Sequence, residues 1–190
     1  MTSTSLDLSN RPELGPLSRL AAAVVNAAAT LGIPVFMTGA MARDLILAHG
    51  YGIDTGRRTE DVDWAMVVEG WAQFDALKHH LLATNRFAES GSPHRLRYQT
   101  DWVVDLIPFG GVESRPGYIA WPSDHATVMR VLGFREAFAH TITVRLPGPV
   151  EVQVVSPAGL AILKLLAWED RRHEFPTKDA QDFALVARER

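Results

Sequence analysis

The sequence predicts a mixed α+β domain followed by a short helical tail. Strand-like and helix-like patterns alternate through the first 155 residues, whereas the remainder has only helical periodicity. A chain of 190 residues is also the size of one ordinary domain. We therefore divide it into a loose N-terminal arm at 1–14, a core at 15–155 and a C-terminal helical segment at 156–190 that completes the functional site.

The composition excludes several classes of protein. Hydrophobic residues make up 47% and charged residues 22% of the chain, so it can fold around a core. Nineteen basic and 22 acidic side chains give a net charge of −3, which argues against a protein that coats nucleic acid. The sequence contains no cysteine, which excludes disulfides and thiol catalysis. The N-terminus lacks an apolar signal core and no apolar run is long enough to span a membrane, so we expect a cytoplasmic protein with no membrane partner.

Apolar periodicity and turn residues place the individual elements. In the first half they predict a helix after Pro16, a buried strand at 33–38, a helix at 40–48, a strand at 61–68 and an amphipathic helix from Trp71. In the second half they predict strands at 95–100 and 102–109 joined by a turn at Thr100 and Asp101, an irregular segment at 110–126, strands at 141–146 and 150–155, and helices at about 157–172 and 177–188.

Two aspartates at the start of one predicted strand are the first candidate site. Asp61 and Asp63 are two residues apart, so their side chains point to the same face of the strand. Two adjacent negative charges repel each other, and a hard divalent cation such as Mg²⁺ would relieve that repulsion. The alternative is a polar strand end exposed to solvent, and the spacing alone favours this alternative.

A third aspartate changes that balance. Asp105 lies inside the apolar strand sequence WVVDLIPF, where an unpaired carboxylate is costly. It is either a structural aspartate with a polar partner or a third carboxylate that faces Asp61 and Asp63 from a neighbouring strand. Three carboxylates on adjacent strands can hold two divalent ions, Mg²⁺ or Mn²⁺, which can activate an attacking oxygen and stabilise a leaving phosphate.

The segment Thr38-Gly39-Ala40 supplies a candidate phosphate site. It joins a predicted strand to a predicted helix, and the free N–H groups at a helix N-terminus favour an anion. The alternative is an ordinary strand–helix turn. A GxxxxGK motif is absent from the sequence, so the segment is not a P-loop.

In this order, Gly39-Ala40, Asp61-Val62-Asp63 and Asp105 resemble the nucleotidyltransferase fold of the polymerase-β superfamily. The tail, LAILKLLAWEDRR followed by PTKDAQDFALV, is similar to that of the AbiEii-like nucleotidyltransferases of type IV toxin–antitoxin systems. The resemblance adds the pair Arg58 and Thr59, and the tail residues Lys164 and Asp179. The tail motif also contains Asp182, which we rank second because a first-turn acid also suits a helix N-terminus.

The resemblance implies a Mg²⁺-dependent transfer of a nucleoside monophosphate from an NTP to an acceptor hydroxyl. Metal binding falls to Asp61, Asp63 and Asp105. Nucleotide binding falls to the residues of the turn, the pair before the strand and the helix lysine, namely Gly39, Ala40, Arg58, Thr59 and Lys164. Lys164 and Asp179 also join the catalytic set, with Asp179 near the metal or orienting the lysine. For Lys164 alone, a lysine that extends to the surface is an equally good interpretation.

The acceptor and the partners stay open. A tRNA acceptor predicts a basic strip formed by Arg43, Arg57, Arg58 and Arg171, whereas a small molecule such as an aminoglycoside predicts an acidic pocket. The toxin resemblance implies a cognate antitoxin. Ala40 stands where the family has Gly or Ser, so a non-catalytic binding or regulatory module of the same fold is a second interpretation.

Overall fold

A computed structural model describes residues 5–56, 59–99, 102–174 and 177–188. Its strands are β1 (Ser5–Asp7), β2 (Val35–Thr38), β3 (Asp61–Val68), β4 (Phe87–Glu89), β5 (Arg95–Tyr98), β6 (Trp102–Gly110), β7 (Glu113–Arg115), β8 (Tyr118–Ala120), β9 (Val128–Arg130), β10 (Thr141–Leu146) and β11 (Val150–Val155). Its helices are α1 (Gly15–Thr30), α2 (Gly39–Asp44), α3 (Trp71–Ala83), α4 (Phe134–Ala139), α5 (Pro157–Arg171) and α6 (Lys178–Arg188).

Most strands of the described chain form one mixed sheet in the order β1-β10-β11-β2-β3-β6-β5-β4. β3 pairs antiparallel with β2 and parallel with β6, and β6 pairs antiparallel with β5. Strands β7, β8 and β9 form a separate three-stranded antiparallel sheet. The mixed topology places β2, β3 and β6, which carry the candidate site, at the centre of the large sheet.

The central strands are buried because helices cover both faces of the sheet. Helices α1 and α3 pack against each other, and they contact β11 and β3 respectively. On the other face, Phe36 and Phe109 pack with Phe134 and Phe138 of α4 at ring-centroid distances of 5.9–6.4 Å. Helix α5 packs on α4 and on α6. The apolar alternation of β3, with Val62, Trp64 and Met66 fully buried, fixes which face its aspartates occupy.

Helix α5 begins where local chemistry favours a start. The Ser156 side chain accepts a hydrogen bond from the Gly159 backbone N–H at 3.2 Å, and Pro157 occupies the first helical position. Helix α2 continues directly into a π-helical stretch, Leu45–Gly50. Helix α2 follows β2 directly, and helix α5 follows β11 after one residue, so both helices start at the end of a strand of the large sheet.

The N-terminus and one connecting segment differ from the sequence prediction. Residues 5–14, predicted as part of a loose arm, contain β1, which pairs parallel with β10, and a 3₁₀ turn at Pro12–Leu14 whose Leu14 is buried. The segment 110–126, predicted as irregular, contains β7 and β8. The predicted turn at Thr100 and Asp101 lies outside the described residues. Among the helices that the structure describes, none combines the length and apolar character needed to cross a bilayer.

Candidate active site

The candidate site is centred on one line of residues across the sheet, which we call the carboxylate row. Strand pairing places Thr38 opposite Asp63, Asp63 opposite Asp105, and Asp105 opposite Arg95. Because directly paired residues share a face, all four side chains lie on the same side of the sheet. Asp61, two residues before Asp63, shares that face at the exposed end of β3. The three predicted carboxylates are therefore brought to one surface.

Asp63 is the carboxylate of the row whose ionised form is disfavoured by its surroundings. Burial raises its pKa, and the negative charges of Asp105 and Asp61 raise it further, to about 6. The positive charges of Lys164 and Arg95 only partly offset this effect. A carboxylate in this environment gains stability from any cation that reaches it.

Asp105 is held by an arginine that the sequence analysis did not select. Arg95 donates from Nε to Oδ1 at 2.8 Å and from Nη2 to Oδ2 at 2.7 Å, so both carboxylate oxygens are occupied. The Asp105 side chain is 12% exposed and the Arg95 side chain 41% exposed. The same contact raises the pKa of Arg95 above its ordinary value. The sequence prediction could not reveal this pair, because a two-residue turn at 100 and 101 would place residue 96 opposite residue 105, whereas the observed register places residue 95 there.

The donor set fits a hard divalent cation. Aspartate oxygens are the ligands that Mg²⁺ and Mn²⁺ prefer, and burial together with the charges of Asp105 and Asp61 raises the pKa of Asp63, so a cation beside it would be stabilising. No three His, Cys, Asp or Glu side chains within the described residues form a ready-made metal-binding group. Arg95 holds both oxygens of Asp105 by hydrogen bonds in this arrangement.

The predicted phosphate turn lies directly against Asp63. Gly39 has φ +72°, a conformation that favours glycine, and a Cβ at this position would collide with Oδ2 of Asp63. Thr38 immediately before it is buried, and α2 starts at the glycine. Gly39 and Ala40 thus bring helix N–H groups beside a carboxylate that favours a cation. An anion and its metal counter-ion would be neighbours here.

Lys164 lies in the protein interior and is not free to reach solvent. Its side chain donates to Asp179 Oδ1 at 3.3 Å and pairs with Asp182 Oδ2 at 2.7 Å, and the residue is 8% exposed. The positive charge of Lys164 also acts on Asp63, where it partly offsets the rise in pKa that burial and the other carboxylates cause. Asp179 therefore contacts Lys164, and its role in orienting the lysine stays a prediction. Asp182, the second-ranked residue of the tail motif, contacts Lys164 equally directly.

Arg43 joins the same group of charges. It is 2% exposed, donates to Asp44 at 2.7 and 2.9 Å, and pairs with Asp182 at 2.5 Å. We call this buried group the helix ion cluster; it comprises Arg43, Asp44, Lys164, Asp179 and Asp182. Burial alone would raise the pKa of Asp182, but hydrogen bonds and charges from Lys164 and Arg43 outweigh it, and the pKa is lowered. Arg43 was predicted as part of a basic strip for tRNA, and its burial in these ion pairs contradicts that prediction.

The segment before β3 is partly described. The Thr59 hydroxyl accepts a hydrogen bond from the Asp61 backbone N–H at 3.1 Å, so Thr59 orients the start of the strand. Arg57 and Arg58 lie outside the described residues, and so does the side chain of Arg171.

A cavity of about 660 Å³ borders the segment before β3. It is lined by Glu13, Leu14, Leu17, Met41, Asp44, Ala48, His49, Asp54, Thr55, Gly56, Thr59 and Trp102.

Comparisons with known proteins identify the fold. No sequence profile of a known family matches the chain, and no curated protein matches it. An antigenic nucleotidyltransferase-like protein from Paracoccidioides brasiliensis is 20% identical, with a TM-score of 0.58 over 90% of this chain and 74% of that chain. The antibiotic-resistance factor ANT(2'')-Ia is 16% identical, with a TM-score of 0.53 over 92% of this chain and 84% of that chain. Its complex with adenylyl-2''-tobramycin is also 16% identical and gives 0.51 over 91% and 88%.

At these identities the likeness establishes the fold. The chain shares the mixed α+β fold of these structures, and the predicted fold class is confirmed. The matches give no support to the AbiEii-like subfamily that the tail suggested.

Proposed function

We propose that the protein is a divalent-metal-dependent nucleotidyltransferase. It would move a nucleoside monophosphate from a nucleoside triphosphate to an acceptor hydroxyl. One observation carries this proposal: Asp63 lies between Asp105 on one side and the Gly39 turn on the other. That arrangement provides a site for a cation beside a site for a phosphate, on a fold shared with nucleotidyltransferases.

The chain's own residues have separate tasks in this reaction. Asp61, Asp63 and Asp105 would hold Mg²⁺ or Mn²⁺, and the backbone N–H groups of Gly39 and Ala40 would bind phosphate oxygens. The bound metal supplies charge neutralisation of the triphosphate and polarisation of its α-phosphate. The acceptor oxygen would form a bond to the α-phosphorus as the bond from that phosphorus to the pyrophosphate oxygen breaks; pyrophosphate would leave, and the hydroxyl proton would pass to water.

Lys164 contributes to this scheme through the electrostatic effect of its positive charge, without contacting the substrate. Asp179 and Asp182 hold it in place, and its positive charge already acts on Asp63. A fixed cation behind the metal ligands favours a negatively charged triphosphate without leaving the ion cluster. Lys164 and Asp179 are therefore positioning residues in our proposal.

The direct test is nucleotide transfer with α-labelled NTPs, with and without Mg²⁺ or Mn²⁺. Asp63→Ala should reduce transfer at least about a hundredfold, because both the metal site and its link to the phosphate turn are lost. Asp75→Ala removes an exposed carboxylate on α3 and serves as the matched control. Transfer by Asp63→Ala at the wild-type rate would overturn the proposal.

The cavity favours a small cationic acceptor over tRNA. Its described lining contains the carboxylates Glu13 and Asp54, together with Asp44, which is paired with Arg43, and it contains no lysine or arginine. Thr59, two residues before Asp61, also lines it, so it borders the carboxylate strand. A similar fold has been crystallised with adenylyl-2''-tobramycin. We propose that the acceptor is a hydroxyl group of an amino sugar.

Competing acceptors separate this proposal from the tRNA alternative. Label should pass to an amino-sugar panel and not to total tRNA, and Asp54→Asn should raise KM for the amino sugar more than it changes kcat. Label on tRNA, with strongly salt-dependent binding, would favour the toxin interpretation instead. The toxin role and the antitoxin partner rest on the resemblance of the tail.

Ala40 keeps the non-catalytic module as a second candidate. The position lacks a hydroxyl, although its backbone N–H remains. A ligand must stabilise the state that it binds, so Mg²⁺ with an NTP should raise the melting temperature of an active enzyme. An unchanged melting temperature and no transfer to any acceptor would favour the module.

A further inference from the structure

The contact between Arg95 and Asp105 is not accounted for by nucleotide transfer. Three carboxylates share one face of the sheet, and one of them is fully engaged by an arginine from the next strand. The arginine occupies the oxygens that the proposed metal site requires. A divalent cation that coordinates the same carboxylate competes with the arginine, because the two positive charges repel each other and each draws on the same negative charge.

The two side chains differ in how freely they can move. Asp105 is nearly buried on a central strand, whereas Arg95 is 41% exposed on the solvent side of the pair. Leaving Asp105 would return a guanidinium to water without opening the core, because the buried side chains of β5, Leu96 and Tyr98, point to the other face. The Arg95–Asp105 pair therefore has good bidentate geometry, and its exposed arginine can be replaced by another cation.

We propose that Arg95 is a built-in counter-ion that holds Asp105 in the metal-free protein and competes with a divalent cation for it. This inference rests on the proposed metal-dependent function. Without metal, Arg95 offsets part of the charge that raises the pKa of Asp63 and keeps the carboxylate row together. When a divalent cation binds, it displaces the guanidinium from Asp105. The strength of this arginine bond thus sets the affinity for metal.

The same strand supplies a matched control. Arg97 lies two residues from Arg95 on the same face, is exposed, and is paired with Val103 instead of an aspartate. Arg97→Gln removes the same charge from the same surface without releasing a carboxylate. Any effect of Arg95→Gln beyond that of Arg97→Gln belongs to the bond with Asp105.

The experiment measures Mn²⁺ binding to the full metal-free chain, by the electron paramagnetic resonance signal of free Mn²⁺, in the absence of nucleotide. Arg95→Gln should bind Mn²⁺ about tenfold more tightly than wild type. Its metal-free melting temperature should fall, and Mn²⁺ should raise it by more than in wild type. Arg97→Gln should bind within about twofold of wild type. Arg95→Lys, which keeps the charge and loses the bidentate geometry, should lie between and also serves if Arg95→Gln does not fold.

The outcomes distinguish this inference from the proposed function. Equal Mn²⁺ affinity in wild type, Arg95→Gln and Arg95→Lys overturns the counter-ion role, while Mn²⁺-dependent transfer by wild type would leave the proposed function standing. Mn²⁺ binding by none of the variants also overturns it, and wild-type transfer that requires no metal would then remove the metal-dependent function as well. Tighter binding by Arg95→Gln that Asp105→Asn abolishes supports both.

Discussion

Two groups of charged side chains in this molecule use the same residue types and have opposite electrostatic character. In the carboxylate row, burial and neighbouring carboxylates raise the pKa of Asp63 to about 6. In the helix ion cluster, Lys164 and Arg43 outweigh burial and lower the pKa of Asp182. The positive charges near the row therefore do not offset the burial and repulsion that act on Asp63, whereas those of the cluster outweigh the burial of Asp182.

The difference separates a site from a structural joint. The cluster ties α2, α5 and α6 together through buried ion pairs between Arg43, Lys164 and their three aspartates. The row lies next to a glycine turn and includes an arginine that is 41% exposed. Perturbed carboxylates beside an open, exchangeable contact are typical of functional sites, and satisfied buried pairs are typical of scaffolds.

The largest effect should come from breaking the helix ion cluster. Arg43→Met leaves Asp44 and Asp182 with less compensation in the interior, and we expect a loss of about 3–5 kcal/mol in unfolding free energy. Urea denaturation at unchanged m-value measures this loss. The control is Arg145→Met, which breaks an exposed pair with Glu151 and should cost less than about 1 kcal/mol. Equal losses in the two variants would mean that the cluster is not a structural joint.

A smaller effect should come from the turn that links the row to α2. Gly39→Ala combines a positive φ with a collision against Asp63, and we expect a loss of about 2–3 kcal/mol together with loss of NTP binding. Gly32→Ala is the control, because Gly32 has φ +66° with no atom near its would-be Cβ. It should cost about 1 kcal/mol and leave NTP binding intact. If both variants lose the same stability and keep NTP binding, the turn does not support the row.

Local patterns predicted the long elements well. The period-two pattern of β3 and the LPGP turn between β10 and β11 gave boundaries that the structure confirms. The strands β1, β4, β7, β8 and β9 were missed because each has three residues, too few to show a period. β1 also gains its partner from β10, far along the chain. Short strands depend on their pairing partners more than on their own sequence.

The candidate site was predictable in its carboxylates and not in their partners. Asp61 and Asp63 stand out because their spacing puts both carboxylates on one face of a strand, and Asp105 stands out because a carboxylate is costly in an apolar strand. Arg95 did not, because an arginine in a strand is ordinary until its register with Asp105 is known. Arg43 was misassigned for the same reason. A charged side chain in a sequence shows its charge and not the group that neutralises it.

The smallest expected effect is a pH dependence that belongs to the row alone. The pKa of Asp63 is raised to about 6 in the folded protein, whereas an unfolded aspartate titrates at about 3.9. Between these values the folded state binds more protons than the unfolded state, so this group adds about 1 kcal/mol of stability as pH falls from 7 to 5. Asp182, whose pKa is lowered, gives no such gain in this range.

Asp63→Asn isolates that contribution. Metal-free wild type and Asp63→Asn are unfolded with urea at pH 7 and pH 5, and the variant should lack the gain on acidification. His94, whose pKa is lowered by burial, titrates in both proteins and cancels from the comparison. Since a divalent cation would satisfy Asp63, saturating Mn²⁺ should remove the gain from wild type as well. Identical pH dependence in the two proteins would show that Asp63 is already compensated, and the contrast between the row and the cluster would then fail.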